Sequence, residues 1–318
     1  MICDEFHNVD KESAQSTMCS YLLATHSNME QGMETQLSSS TRQVIIGPGE
    51  PFVIIGERIN PTRRKKLMET LSAGDFSVAK EDARSQVAAG ATVLDLNAGV
   101  PGADEPKLLS ELTKAIMSVV DVPLCFDSAN PLALEAALSV YQGKALINST
   151  TGEDKNLDVV LPLAAKYHAA VMGVATDESG IPPTPQARLE VARKIIQRAA
   201  YYGIPAEDII IDCLALTVGA DSTAGIVTLD TMQLVRRELG VNLSLGASNV
   251  SFGLPDRKLI NVTYLALGVA RGLTAAISDP TVPEIRSTLL ACDLLMGNDE
   301  YAMRFIKAYR ANLNAAKA

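Results

Sequence analysis

The sequence contains no tryptophan, only three histidines and only five cysteines among its 318 residues. The cysteines are not paired at short spacing and the histidines lie far apart, so the sequence predicts no metal site of thiolate or imidazole ligands. These residues are Cys3, Cys19, Cys125, Cys213, Cys292, His7, His26 and His168. Cys125 and Cys213 lie inside apolar runs, which indicates buried, reduced thiols. A zinc-dependent catalytic centre is therefore disfavoured.

Positive charge is in deficit, because 28 Lys and Arg against 37 Asp and Glu give a net charge of −9. A chain of this charge repels a phosphate backbone, so nucleic acid is not an expected partner. Long apolar runs are also lacking, since no stretch approaches the roughly 18 to 20 residues that span a bilayer. The first residues include Asp4, Glu5 and Asp10 instead of the basic and apolar pattern of a secretory signal. We expect a cytoplasmic protein with no membrane partner.

Apolar residues make up 47% of the chain and charged residues 20%, which is typical of a folded globular protein. Residues 1–43 are rich in Ser, Thr, Met and Gln and show no sustained periodicity, so we predict a partly irregular N-terminal extension. Residues 44–318 are predicted to form the main domain. Within it, Val44–Ile46 is interpreted as a short strand that precedes the main fold, which begins near residue 52.

Eight short apolar runs alternate with helical patterns from residue 52 onward. The predicted strands start near residues 52, 91, 122, 144, 169, 208, 242 and 274. Each interval matches one strand, one helix and two loops of a parallel sheet, and eight such units are typical of an α/β protein with a (β/α)8 TIM barrel. An open doubly wound sheet is the alternative, but it usually has a glycine-rich turn after its first strand, where this chain reads Gly56-Glu57-Arg58-Ile59-Asn60.

One predicted helix has clear signals at both ends. Thr184 is placed as the N-cap, Pro185 as the first helical residue and Gly203 at the C-terminal end. A different helix opens with the basic run Arg63–Lys66, and such a run is typically solvated.

Polar side chains follow six of the eight predicted strands, and in a barrel these ends meet at one mouth. The residues are Glu57, Arg58, Asn60, Asp95, Asn97, Asp127, Ser128, Asn148, Ser149, Asp212, Ser248 and Asn249. Any one of them can instead be explained as a cap of the next helix. Together they include no His, no Lys on a strand and no Ser/His pair, which disfavours acyl transfer, Schiff-base chemistry and a two-metal hydrolase. The set suits a flat heterocycle with mixed donors and acceptors, such as a pterin.

Five segments in order resemble one known family. They are Gly56–Asn60, Asp95–Gly99, Asp127-Ser128, Ile147–Ser149 and Ser248–Ser251. These motifs are similar to those of the pterin-binding methyltransferase family, and most similar to those of methyltetrahydrofolate:corrinoid protein methyltransferases. The folate module of cobalamin-dependent methionine synthase is a relative. The resemblance covers roughly residues 52–310 and excludes residues 1–43.

The resemblance implies roles for particular residues. Asp127, Asn148 and Asp212 would hold the pterin ring, and Asn249 would hydrogen-bond near N5, which bears the methyl group. An amide cannot fully donate a proton at neutral pH, so a carboxylate such as Asp127, or water, would supply it. Four further residues match neighbouring positions of the family, namely Asn97, Ser248, Arg257 and Asn261. At the position of Phe252 the members that act on the corrinoid/iron–sulfur protein tend to carry a polar residue, so at this position the chain resembles the methionine synthase module instead.

The resemblance also implies an activity and partners. The enzyme would move a methyl group between N5 of tetrahydrofolate and the cobalt of a corrinoid (cobalamin) carried by a partner protein, in either direction. Folate would be the substrate, no metal would be bound directly, and a homodimer is expected. Two alternatives remain: an enzyme like dihydropteroate synthase, whose second strand typically carries a glycine-rich segment in place of Asp95-Leu96-Asn97, and a non-catalytic folate-binding protein.

Overall fold

A computed structural model describes residues 32–315. Most of the predicted N-terminal extension, residues 1–31, therefore lies outside the described residues. Within residues 32–315, no helix is long and apolar enough to cross a membrane.

Eight parallel strands form the barrel, and a two-stranded antiparallel hairpin precedes them. The hairpin strands are β1 (Thr35–Ser38) and β2 (Gln43–Ile46); the barrel strands are β3 (Val53–Ile59), β4 (Val93–Leu96), β5 (Leu124–Asp127), β6 (Leu146–Thr151), β7 (Ala170–Val174), β8 (Ile209–Asp212), β9 (Asn242–Ser244) and β10 (Ala275–Ser278). The hydrogen-bonded order runs β10-β3-β4-β5-β6-β7-β8-β9. The Ile277 N–H donates to the Leu245 carbonyl at 2.9 Å beyond β9, which brings the two ends of the sheet together. The predicted (β/α)8 TIM barrel is confirmed.

The helices surround this barrel. In the described part of the chain they are α1 (Lys65–Ser72), α2 (Ser77–Ala89), α3 (Glu105–Met117), α4 (Pro131–Val140), α5 (Asp154–Tyr167), α6 (Pro185–Tyr201), α7 (Ala224–Leu239), α8 (Arg257–Val269), α9 (Pro283–Leu295) and α10 (Met303–Ala315). The predicted signals of α6 are confirmed, because the Thr184 side chain accepts from the Ala187 N–H at 3.2 Å. The chain then turns at Gly203, whose φ of 77° favours glycine.

Alternation along the strands divides the core into two layers. Residues at one set of alternate positions fill the barrel interior, whereas their neighbours pack outward against the helices. In β4, for example, Val93 belongs to the interior cluster and Leu94 to the outer one. Cys213 follows β8 and is fully buried in the outer cluster, as the prediction of a buried thiol requires.

The β1–β2 hairpin closes the end of the barrel at which the strands begin. Leu37 and Ile46 are fully buried in the interior cluster of the barrel. At the start of β9, the Asn242 side-chain amide donates to the carbonyls of Met33 (3.0 Å) and Ile46 (2.7 Å) and to the Thr35 hydroxyl (2.9 Å). Strand β1 lies before the domain boundary predicted at residue 43, and its side chains nevertheless complete the floor of the barrel.

Replacing Leu37 by alanine tests this contribution of the hairpin. We expect Leu37→Ala to lower the free energy of unfolding by about 2 to 5 kcal/mol, because the lost side chain leaves a cavity in a close-packed core. Urea denaturation of the purified protein measures the change. The matched control is Leu132→Ala, since Leu132 is 65% exposed and its truncation is expected to stay within about 0.5 kcal/mol. Equal denaturation midpoints for the two variants would contradict the packing of the hairpin described here.

Candidate active site

A cavity of about 510 Å³ lies at the carboxyl ends of the barrel strands. It is lined by Glu57, Arg58, Asn60, Thr62, Arg64, Asp95, Asp127, Asn148, Asp212, Gly246, Ser248, Asn249, Ile277 and Asp279. This is the end of a TIM barrel at which active sites are found. The volume falls within the range of roughly 300 to 1,000 Å³ that is usual for small-molecule sites.

The strand period explains why particular polar side chains reach the cavity. Residues two apart on a strand face the same side of the sheet, so a polar residue that follows an interior residue by two positions also points inward. The four pairs are Val93 and Asp95, Cys125 and Asp127, Leu146 and Asn148, and Ile210 and Asp212. The apolar member of each pair fills the barrel and the polar member borders the cavity.

Hydrogen bonds among these side chains orient three amides and two carboxylates. Asn97 Nδ2 donates to Asp127 Oδ2 at 3.0 Å, and Asn60 Nδ2 reaches the same oxygen at 3.4 Å. Asn148 Nδ2 donates to Asp95 Oδ1 at 3.2 Å. Because Asp127 accepts from amides that follow β3 and β4, and Asp95 accepts from an amide on β6, the carboxamide planes are held in place before any ligand arrives.

Several carboxyl groups of the cavity hold protons more tightly than usual. Burial raises the pKa of Asp212 to about 6, although the Leu214 N–H and the positive charge of Arg188 favour the ionised form. Burial also raises the pKa of Asp127. The pKa of Asp95 is raised by burial first and then by repulsion from Asp127. The cavity thus gathers carboxyl groups in a poorly solvated place, where their oxygens can accept from a ligand edge rich in N–H donors.

Glu57 lies at the same mouth, near Ser248 and Asp279. Burial and repulsion from Asp279 raise the pKa of Glu57 to about 7, while a hydrogen bond with Ser248 acts in the opposite direction. A carboxyl group of this kind changes its protonation state near neutral pH.

A short 3-10 turn, Ala247–Ser251, carries Ser248 and Asn249 to the rim of the cavity. Gly246 precedes the turn, and a Cβ atom added there would lie 2.9 Å from Asn249 Nδ2. The missing side chain at Gly246 therefore leaves room for the amide of Asn249 beside the end of β9.

Two residues of α8 brace this turn from behind. Arg257 Nη2 donates to the Ser248 carbonyl at 2.6 Å, and Arg257 Nε donates to Ser251 Oγ at 3.1 Å. Ser251 Oγ in turn donates to Asn261 Oδ1 at 2.6 Å. These bonds connect the turn to the first two turns of the helix, so the position of Asn249 depends on α8.

Comparisons with known proteins agree with this geometry. The sequence profile of the family described as pterin binding enzyme matches residues 56–279, which include every strand-end residue of the cavity. The chain belongs to the pterin binding enzyme family.

Two characterised relatives share substantial identity with this pterin binding enzyme. A protein of Eubacterium limosum named methylcorrinoid:tetrahydrofolate methyltransferase is 30% identical over 265 residues, which cover 81% of this chain and 96% of the relative. Methionine synthase of Mycobacterium leprae (strain TN) is 30% identical over 257 residues, which cover 77% of this chain and 21% of that longer protein.

A solved structure confirms the architecture. Dihydropteroate synthase of Xanthomonas albilineans, in complex with indole-2-carboxylic acid and 6-chloroguanine, superposes with a TM-score of 0.64 at 18% identity, over 82% of this chain and 98% of that one. At this identity the likeness concerns the fold alone.

The structure brings five of the eight predicted site residues directly to the cavity. They are Asp127, Asn148, Asp212, Ser248 and Asn249. Asn97 does not line the cavity, but its side-chain amide donates a hydrogen bond to Asp127, which does. Arg257 and Asn261 do not line the cavity and instead support the turn that carries Asn249.

Other residues of the cavity were not among the predicted site residues. Asp279 follows β10, and the strand-end rule that found the other positions would have found it too. It pairs with Arg58, whose Nη1 lies 2.9 Å from Asp279 Oδ2. Arg64 belongs to the basic run that was interpreted as solvated, yet it borders the cavity and its Nη1 lies 2.6 Å from Asp82 Oδ2. Sequence spacing could not indicate this ion pair, because Asp82 is on a different helix.

No group of three or more His, Cys, Asp and Glu side chains is arranged to hold a metal ion anywhere in residues 32–315. The carboxylates of the cavity lie instead beside amide donors, as Asp95 and Asp127 do.

Proposed function

We propose that this pterin binding enzyme transfers a methyl group between N5 of tetrahydrofolate and the cobalt of a corrinoid carried by a partner protein. The proposal rests on one observation, which is that a single open cavity is lined by Asp127, Asn148, Asp212 and Asn249. These side chains come from four separate elements of the chain. The similarity to the Eubacterium limosum methyltransferase, which extends over 81% of this chain, supports the same activity.

Three of these residues are proposed to hold the pterin ring. A pterin edge presents an exocyclic amine, a ring N–H and a carbonyl, so it needs both acceptors and donors. The carboxylates of Asp127 and Asp212 accept from the amine and the ring N–H, and the amide of Asn148 matches the alternating positions. Charge-assisted hydrogen bonds of this type are stronger than neutral ones, which favours a pterin over a ring with fewer polar groups.

Asn249 is proposed to act at N5. An amine is a poor leaving group, so N5 needs a proton or a strong hydrogen bond while its bond to the methyl carbon breaks. The side-chain amide of Asn249 orients N5 and stabilises the charge that develops there. Asp127 is the proposed carboxyl route for the proton, and burial raises the pKa of this carboxyl above its usual value.

The corrinoid partner must reach the same mouth. The bound corrinoid supplies the cobalt that accepts or releases the methyl group, and this transfer needs an in-line approach to N5. The exposed ring of Phe252 directly follows the turn that carries Asn249, with Arg63 Cζ 4.8 Å and Arg257 Cζ 5.9 Å from its centroid. The homodimer and the cytoplasmic location stay predictions.

A spectrophotometric assay tests the proposal. Tetrahydrofolate and methylcobalamin are mixed with the protein under anaerobic conditions, and the absorbance of cobalt(I) is followed. We expect cobalt(I) to appear at a rate proportional to enzyme concentration, with no change when tetrahydrofolate is left out. Folate binding by titration calorimetry without any methyl exchange, with free methylcobalamin or with corrinoid proteins, would instead support the non-catalytic alternative.

The alternative function, that of an enzyme like dihydropteroate synthase, needs a separate test because such enzymes have this fold. Incubation with a pterin diphosphate and p-aminobenzoate should give no product if the proposal is right. Strand β4 supports this expectation, because it continues as Asp95-Leu96-Asn97 and places two polar side chains where that family typically has glycine. Turnover of the pterin diphosphate would overturn the proposed function.

A further inference from the structure

Arg188 is the largest fully buried side chain within residues 32–315, at 2% exposure, and it lies on α6 just outside the barrel. Its Nη1 donates to the Cys213 carbonyl at 2.8 Å and to the Leu214 carbonyl at 3.0 Å. The same nitrogen is 3.2 Å from Thr228 Oγ1, and Nε donates to the Pro182 carbonyl at 3.0 Å. The guanidinium therefore connects the chain after β8 to α7 and to the segment before α6.

The two carbonyls that Arg188 binds belong to the residues that directly follow Asp212. At Leu214 the backbone has a φ of 59°, which is unfavourable for a side chain of this size, so surrounding contacts must hold it. In this conformation the Leu214 N–H donates to Asp212 Oδ1 at 2.7 Å. Arg188 thus holds the backbone turn that fixes the orientation of the Asp212 carboxylate.

The charge of Arg188 is also significant. None of the ion pairs within residues 32–315 includes Arg188, and all its hydrogen-bond acceptors are neutral carbonyl or hydroxyl oxygens. A buried charge is costly unless an opposite charge lies nearby. Asp212 is the carboxylate whose field acts on Arg188, and the positive charge of Arg188 in turn favours ionised Asp212.

The titratable groups around this pair lie on several elements. The groups that act on Arg188 besides Asp212 are Cys213 after β8 and Tyr264 on α8. The other titratable groups of the cavity that Asp212 lines are Glu57 and Arg58 on β3, Asp95 on β4, Asp127 on β5, Arg64 before α1 and Asp279 after β10. Among them, Arg188 is the cation that favours the ionised form of Asp212.

We propose that Arg188 is the positioning residue of Asp212, holding its carboxylate both ionised and aimed into the cavity so that it can accept the donors of the pterin. This inference rests on the proposed function, because it assigns Arg188 to the binding of the folate substrate. Arg188 does not line the cavity and acts only through Asp212 and the backbone at residues 213 and 214.

The test measures the affinity for methyltetrahydrofolate between pH 5 and 8.5 by titration calorimetry. In the wild type, affinity is expected to fall as pH decreases through about 6, where Asp212 takes up a proton. In Arg188→Met we expect the midpoint of this fall to move upward by about one pH unit or more, the scale on which an opposite charge shifts a carboxyl group. At pH 7 an upward shift of about one unit lowers the ionised fraction of Asp212 from about nine-tenths to about one half, so this effect alone should weaken affinity about twofold.

Two further variants separate charge from orientation. Arg188→Lys keeps the charge but has no second nitrogen to bind the Pro182 carbonyl and no planar guanidinium to hold the turn, so we expect a midpoint near that of the wild type and an affinity weakened at every pH. Arg198→Met is the matched control, because Arg198 lies on the same helix and pairs with Asp158 at the surface; its profile should equal that of the wild type. If Arg188→Met fails to fold, as circular dichroism would reveal, Arg188→Lys decides: wild-type affinity throughout would overturn the proposal.

A measurement without folate distinguishes failure of this inference from failure of the proposed function. The titration of Asp212 in the ligand-free protein is followed by carboxyl ¹³C NMR, in the wild type and in Arg188→Met, with Asp212→Asn used to assign the signal. A higher pKa of Asp212 in Arg188→Met supports the link even if the wild type binds no methyltetrahydrofolate. Identical titrations, or parallel affinity profiles, would overturn it.

Discussion

Replacing Asn249 by alanine is expected to slow methyl transfer at least about tenfold, and by as much as about 10² to 10³, the range for loss of one oriented donor at a developing charge. The reason is geometric as well as chemical. Gly246 lets the Asn249 amide sit close to the end of β9, and Arg257 holds the turn that carries it. Removing the amide leaves N5 without its proposed hydrogen-bond partner, while Asp127 and Asp212, which are proposed to hold the pterin, stay in place.

Single-turnover stopped-flow spectroscopy with methylcobalamin and saturating tetrahydrofolate measures this effect. Folate affinity should change little in Asn249→Ala, because the amide acts mainly in the transition state. A wild-type rate in the variant would remove Asn249 from the mechanism. Arg257→Met offers a comparison: it leaves the amide present but removes its support at the Ser248 carbonyl, so we expect a smaller reduction in rate.

Replacing Asp212 by alanine is expected to weaken folate binding by about 10-fold to 100-fold, since a hydrogen bond to a charged group is worth about 1.5 to 3 kcal/mol. Asp212 lies at the end of β8, inside the cavity, with its Oδ1 fixed by the Leu214 N–H. Titration calorimetry at pH 7.5 measures the dissociation constant. Unchanged affinity would show that the ring is held by other groups.

Substitution of Asp212 by asparagine adds a control based on stability. Because the folded-state pKa of about 6 exceeds the ordinary 3.8, the folded protein binds the proton more tightly than the unfolded chain. Ionised Asp212 therefore lowers stability above about pH 6, and this cost is absent below 3.8. Asp212→Asn should raise the midpoint of thermal unfolding at pH 8 relative to the wild type, with a smaller difference at pH 4.5. A lower midpoint at both values would contradict the environment described for Asp212.

Burial raises the pKa of other carboxyl groups around the cavity besides Asp212, as it does for Asp95 and Asp127. Such groups cost stability in the ligand-free protein at neutral pH. Their persistence beside amide donors is typical of a site built to bind a polar ligand rather than to stabilise the fold.

Strand ends could be predicted because local rules govern them. Apolar runs at regular spacing indicate parallel strands, and the period of two on a strand points Asp127, Asn148 and Asp212 to the interior once the adjacent apolar residues are buried. A barrel then brings these ends together whatever the exact bounds of its helices. The helix signals at Thr184 and Gly203 are equally local, since each depends on a few consecutive residues.

The sequence by itself thus determined the eight strands, the barrel and the polar mouth, because each strand follows from a few consecutive residues and the barrel follows from the regular spacing and number of the strands. Only the tertiary structure decided which side chains support that mouth. Arg188 appears in sequence as one polar residue of an amphipathic helix, yet its guanidinium binds carbonyls 25 and 26 residues further along the chain. Strand β1 closes the barrel floor through Asn242, 207 residues away from Thr35. Contacts at such separations leave no periodic signal, because they depend on how the completed barrel brings distant segments together.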